Sequence, residues 1–152
     1  MRGVMPHPDP SMYDDTYPTC TETYSTLRVF SDQMEPKGLT GALGVEPTSS
    51  FRKGDAYGDG RHRKVNGWFY STEGLSTSRD TSRHLDLLVD ALEGKIRVLD
   101  RLREQGCNID IVSYWVSTGQ GGPQLQPHQM LKLGALGLPV WWDIYFESGD
   151  EA

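Results

Sequence analysis

The stretch from 108 to 123, N-I-D-I-V-S-Y-W-V-S-T-G-Q-G-G-P, decides how the chain is read. Val112, Tyr114 and Val116 alternate with Ile111, Ser113 and Trp115, the two-residue period that a packed, pleated strand selects. A strand this rich in β-branched and aromatic residues belongs in the middle of a sheet. It empties into Gly119, Gln120, Gly121 and Gly122, where the backbone is free to turn or approach a neighbour closely, and Pro123 and Pro127 prevent the strand from continuing. The remaining segments must supply neighbours for that strand and a cover for its faces.

Working outward, 152 residues suit one domain that buries roughly two thirds of its unfolded surface, so neither a metal nor a disulfide is needed for stability. With 36% apolar and 24% charged residues the composition is that of a globular protein. No run approaches the ~20 apolar residues of a membrane helix, and the N-terminus lacks the apolar core of a secretion signal, so a cytoplasmic location is expected. Cys20 and Cys107 form no C-x-x-C pair and are expected as free thiols. The formal charge of -6 argues against nonspecific nucleic-acid binding. Arg52, Lys53, Arg61, Arg63 and Lys64 nevertheless cluster, diluted by Asp55 and Asp59.

Residues 1–19 hold four of the nine prolines and little apolar periodicity, which describes a flexible arm; residues 148–152 form an acidic tail, and the globular domain spans 20–147. Leu27 and Val29 mark the first strand, and a short helix follows with Ser31 or Asp32 as its cap, Pro36 in its first turn and Gly44 at its end. Residues 48–66 read as a long polar loop, and 67–72 as an aromatic strand. Leu85, Leu88, Leu92, Ile96, Leu99 and Leu102 draw one apolar stripe, predicting a helix of about 25 residues, ~37 Å long, bent at Gly94 and stopped by Gly106. Gln126 and Pro127 open a third helix that closes at Gly137, and V-W-W-D-I-Y-F-E is the last strand.

Two of these segments look alike: E-P-K-G-L-T-G-A-L-G-V and Q-P-H-Q-M-L-K-L-G-A-L-G-L each follow a strand and precede another. They suggest a pseudo-repeat of β-α-β halves separated by the long helix. The fold class expected is α/β or α+β: a two-layer sandwich with a mixed or antiparallel sheet of about four or five strands, a long helix and two short ones. Helices on one side leave the other side of the sheet uncovered.

T-E-T-Y-S-T-L-R-V-F-S, then L-G-V-E-P-T with R-K-G-D, G-W-F-Y-S-T-E-G, S-R-D with H-L-D, Y-W-V-S-T-G-Q-G-G-P and W-D-I-Y-F make an ordered set. In it the chain resembles the bacterial family catalogued as domain of unknown function 4279, from about Thr19 to Phe146. The resemblance implies a small cytosolic bacterial protein and assigns no reaction and no catalytic residue. The arm and residues 54–64 depart from that pattern.

No H-E-x-x-H, C-x-x-C or G-x-S-x-G is present, so neither a metal site nor a nucleophile is nominated and no cofactor is implied. His7, His62, His84 and His128 are expected in surface or capping roles. The glycine loop lacks G-K-[ST] and does not open a helix directly, which makes it a turn before it is a phosphate cradle. Strand alternation offers a better site. If Leu27 and Val29 face the helices, then Tyr24, Thr26, Arg28 and Phe30 share the opposite face, where corresponding phases would set Trp68, Tyr70, Tyr114, Trp141, Asp143 and Tyr145 beside them. Tyr, Trp and Arg concentrate in binding hot spots. The expected function is a non-catalytic protein-binding module, with an immunity or antitoxin role as one concrete form and a homodimer as a further arrangement. The alternative is a binding protein or enzyme for a small anionic ligand, a nucleotide or phosphometabolite, held by Arg52, Lys53, Gly119, Gln120, Gly121 and Gly122.

Overall fold

The computed structural model describes residues 12–147; the first part of the expected arm, 1–11, and the acidic tail, 148–152, lie outside the described residues. Strand β1 (Cys20–Ser31) is followed by helix α1 (Pro36–Leu43), β2 (Ser49–Phe51), the two-residue strands β3 (Ala56–Tyr57) and β4 (Arg61–His62), and β5 (Asn66–Ser71). Helices α2 (Thr81–Ala91) and α3 (Ile96–Glu104) lead to β6 (Asn108–Ser117), α4 (Pro127–Leu136) and β7 (Val140–Phe146). Five strands form one sheet in the order β2-β5-β1-β6-β7, with β3 and β4 as a separate hairpin. β1 runs antiparallel to both β5 and β6, whereas β6 and β7 are parallel. The result is the mixed-sheet, two-layer α+β sandwich that the alternation and the leucine stripe imply. No helix among the described residues is long and apolar enough to cross a membrane.

All four helices pack on one side of this sheet. Leu27 and Val29 of β1, Trp68 of β5, and Ile109 and Ile111 of β6 meet Leu39 and Leu43 of α1, Leu85 and Leu88 of α2, Leu99 and Leu102 of α3, and Leu133 and Leu136 of α4 in a single core. Each such side chain contributes roughly 1.5–3 kcal/mol when fully buried, which is what holds helices too short to persist alone. The expected long helix is two helices. Gly94 adopts φ 74 and breaks the chain between α2 and α3, and Lys95 turns back to donate to the Leu43 carbonyl at the end of α1. A left-handed glycine ends a helix instead of bending it.

The pseudo-repeat is real in its helices and altered in its strands. α1 and α4 each begin with Pro in the first turn and end on a left-handed Gly, Gly44 and Gly137, both at φ 69. β6-α4-β7 is a direct β-α-β unit. In the first half, however, β5 inserts between β1 and β2, so these two point the same way without touching. The segment expected as one long loop, 48–66, therefore contains the edge strand β2 and the β3–β4 hairpin. Glu35, not Ser31 or Asp32, occupies the cap of α1; Ser31 instead accepts from Gln33 and Met34 in the preceding turn.

Residues 12–19 of the expected arm pack against the domain. Asp14 N–H donates to the Asp80 carboxylate at 2.7 Å, Asp15 pairs with Arg83 at 2.7 Å, and Tyr13 donates to Asp86. Tyr17 lies against Gly121, whose φ of 126 and crowding leave no room for a side chain: a Cβ there would collide with the Tyr17 hydroxyl and sit 2.7 Å from Thr19 Oγ1. The glycine loop is thus partly roofed by the arm. Cys20 and Cys107 are free and buried.

Candidate functional site: the open face of the sheet

Alternation along β1 and β6 sorts their residues onto two faces. On the helix side, Thr23, Ser25, Leu27, Val29 and Ser31 of β1 and Ile111, Ser113, Trp115 and Ser117 of β6 are all buried. On the other side, Tyr24, Thr26, Arg28 and Phe30 stand beside Asp110, Val112, Tyr114 and Val116, and all of these are only half-buried. β7 continues that face with Trp141 opposite Val112, Asp143 opposite Tyr114 and Tyr145 opposite Val116. Trp141 is 62% and Tyr145 52% exposed. Arg28, Tyr114, Trp141, Asp143 and Tyr145 thus lie on one face of the sheet.

Trp68 and Tyr70 do not join them. β5 pairs Val29 with Trp68 and Leu27 with Tyr70, which puts both rings on the helix side; Trp68 is buried and donates through Nε1 to Thr40 Oγ1 of α1 at 3.0 Å. The open face takes Gly67, Phe69 and Ser71 instead. A single-residue change of phase moves a whole strand's side chains across the sheet. The residue that sets the phase is Gly67, because the Phe51 ring lies where its Cβ would be.

The face has two different ends. At one, Phe30, Phe51 and Phe69 meet edge-on, with ring centroids 5.5 and 5.6 Å apart, and the Arg63 guanidinium stacks 4.0 Å from the Phe51 centroid and 4.1 Å from that of Tyr57 in the hairpin. Arg28 lies 5.2 Å from the Phe30 centroid and forks onto Asp110 at 2.8 and 2.7 Å. Asp110 is the register partner of Arg28 on the adjacent strand β6. At the other end Tyr24 stacks on Tyr114 at 4.9 Å, and Tyr114 contacts Tyr145 at 5.4 Å. Burial raises both the Tyr24 and Tyr114 phenols, with Glu22, Glu73 and Asp143 adding to the effect, so both remain neutral hydrogen-bond donors. This end is aromatic and acidic.

Beneath the tyrosines the usual polarity of a sheet is inverted. Ser25 and Ser113 share a hydrogen bond of 2.7 Å inside the domain, and Thr72 accepts from Ser25 N–H at 3.0 Å. Thr72 also meets His84 Nδ1 at 2.6 Å, while His84 Nε2 contacts the Ser78 carbonyl at 2.8 Å. His84 is completely buried, against the expectation of a surface or capping role, and burial lowers its pKa. Nearby, Gln129 donates to the Ser82 carbonyl at 2.7 Å and to Asp86 at 3.1 Å, and Asp86 receives Tyr13. These groups have protein partners, while His128 Nε2, 3.4 Å from Asp86, is buried without a hydrogen bond.

The anion-site residues are not brought together. Phe51 pairs with Gly67, Gly67 with Phe30, and Phe30 with Asn108 at the start of β6, whereas the glycine loop leaves from Ser117 at the other end of that strand. At about 3.3 Å per residue, Arg52 and Lys53 are separated from Gly119–Gly122 by roughly 30 Å, too far for one small ligand. Lys53 is paired with Asp32 at 2.5 Å. A recess of about 650 Å³ beside Arg79 and Arg83 has its Arg83 already engaged by Asp15. No three His, Cys, Asp or Glu among the described residues converge as metal ligands.

The fold and this face together define a two-layer α+β protein with one sheet surface sealed and the other presented. Residues 21–147 match the model of the family described as Domain of unknown function (DUF4279), and the chain belongs to that family. No curated protein and no solved structure matches it.

Proposed function

We propose that the protein is a non-catalytic binding module of the bacterial cytosol that docks another protein through the open face of its sheet. The observation carrying this reading is the inverted end of the sheet: serines and threonines are enclosed, while Tyr24, Tyr114, Tyr145 and Trp141 are left at the surface. Rings with few rotors and a polar tip yield large contact area at small entropic cost. Glu22, Glu73 and Asp143 around them favour a partner with a basic surface, steering its approach by charge complementarity. An immunity or antitoxin role, masking a basic toxin, is the concrete form this takes.

The test is capture of a partner from the native organism by the intact chain, followed by transfer of that purified partner to Tyr114→Ala and Arg28→Ala variants of unchanged melting temperature. Loss of binding by Tyr114→Ala supports the reading. Undiminished binding by both variants removes it, and a rise in melting temperature with nucleotides or phosphorylated metabolites would favour the small-ligand class instead.

A further inference from the structure

The two edges of the sheet are finished differently. β2, at one edge, has three residues and lies beside the Arg63-stacked hairpin. β7, at the other, has seven, V-W-W-D-I-Y-F, with no proline or lysine among them. Its exposed apolar residues occur on both faces: Trp141 and Tyr145 on the open side, and Ile144, 42% exposed, and Phe146, 77% exposed, on the side the helices should cover but do not reach. Ile111 N–H donates to Pro139, and Glu147 N–H donates to Ser117. A two-residue period between those bonds turns the N–H and C=O groups of odd-numbered β7 residues toward β6. Those of Trp142, Ile144 and Phe146 point outward, where the described sheet has no further strand. A long edge with exposed apolar side chains is a template for another strand.

We infer that this edge pairs with the β7 strand of a second copy of the chain, antiparallel and centred on Ile144, joining two sheets into one of ten strands. Self-complementarity of the strand favours a second copy as the occupant and fixes the register. A two-fold axis perpendicular to the sheet keeps both open faces on one side, which allows a residue to sit opposite only one of the same facing. Centring on Asp143 would set two carboxylates directly opposed, which is repulsive. Centring on Ile144 instead sets Ile144 against Ile144 and Trp142 against Phe146 on the helix side, and Asp143 against Tyr145 on the open side. In that register the outward-facing groups of Trp142, Ile144 and Phe146 are the ones that bond. The exposed isoleucine and phenylalanine become covered, and the tyrosine ends of the two open faces become neighbours. This inference concerns the edge and stands whether or not the open face binds a partner.

The experiment is sedimentation equilibrium of the intact protein over a wide concentration range, with Ile144→Lys alongside. The inference expects a mass twice the 17.0 kDa of the chain, falling to that of the monomer in Ile144→Lys with the circular dichroism unchanged. Oxidation of Ile144→Cys should give a covalent dimer, since bonded antiparallel partners lie about 5.5 Å apart at Cα and suit a disulfide; Asp143→Cys, facing Tyr145, should not. The native Cys20 and Cys107 are buried and do not compete. A monomer at every concentration, a dimer indifferent to Ile144→Lys, or cross-linking through Asp143→Cys in place of Ile144→Cys would overturn it, a monomer that binds an extended peptide at this edge included.

Discussion

The covered and open faces of β1 and β6 are made by alternate residues of the same two strands, yet they follow opposite rules toward the tyrosine end. Near Leu27, Val29, Ile109 and Ile111 the interior is apolar, and the Arg28–Asp110 pair turns out beside Phe30 and Phe69. Four residues further along, Thr23, Ser25, Ser113 and Ser117 are enclosed around the buried Trp115 while Tyr24, Tyr114 and Val116 stand half-buried on the other face. Folding alone rewards the first arrangement and gives no reason for the second. The enclosed hydroxyls are tolerable because each is matched to a neighbour, and the exposed rings are then available for something outside the domain.

This contrast is broken most severely on its covered side. Trp68→Ala removes a ring that is 1% exposed and bonded to α1, and should cost about 3–5 kcal/mol in denaturant unfolding. Gly121→Ala comes next: the left-handed backbone and the packed Tyr17 should together cost roughly 1–3 kcal/mol and free residues 12–19, seen as faster amide exchange around Asp80. The enclosed polar layer predicts a pH effect. His84 has a folded pKa below its ordinary 6.5, so the unfolded chain binds the extra proton first. Its neutral form supports the fold fully above that value, and stability should fall as the pH drops through it toward the folded pKa. In His84→Gln that part of the slope should flatten. On the open side, Trp141→Ser should change stability by no more than about 0.5 kcal/mol while weakening partner binding.

Much of this was legible in the residues. The alternation of β1, β6 and β7 gave faces and neighbours, because half-buried strands write their orientation into every second side chain. The proline-to-glycine punctuation of α1 and α4 was equally plain. The phase of β5 was not, since G-W-F-Y presents aromatics at successive positions and only the distant Phe51, seated over Gly67, decides between them. His84 could have been recognised: it precedes Leu88 and Leu92 by one and two turns and so falls on the leucine stripe. The pairing of Arg28 with Asp110 is not legible in either strand alone, because cross-strand register is a tertiary property. The insertion of β5 between β1 and β2 likewise leaves no local trace.

The central claim is that tyrosine and tryptophan rings are presented on an unsealed sheet surface. Hydroxyl-radical footprinting of the free protein, read residue by residue by mass spectrometry, tests it most directly. Tyr24, Tyr114, Trp141 and Tyr145 should label readily while Trp68 and Trp115 stay protected, and bound partner should shield the first group alone. Protection of Tyr24 and Tyr114 in the isolated monomer equal to that of Trp68 would contradict it.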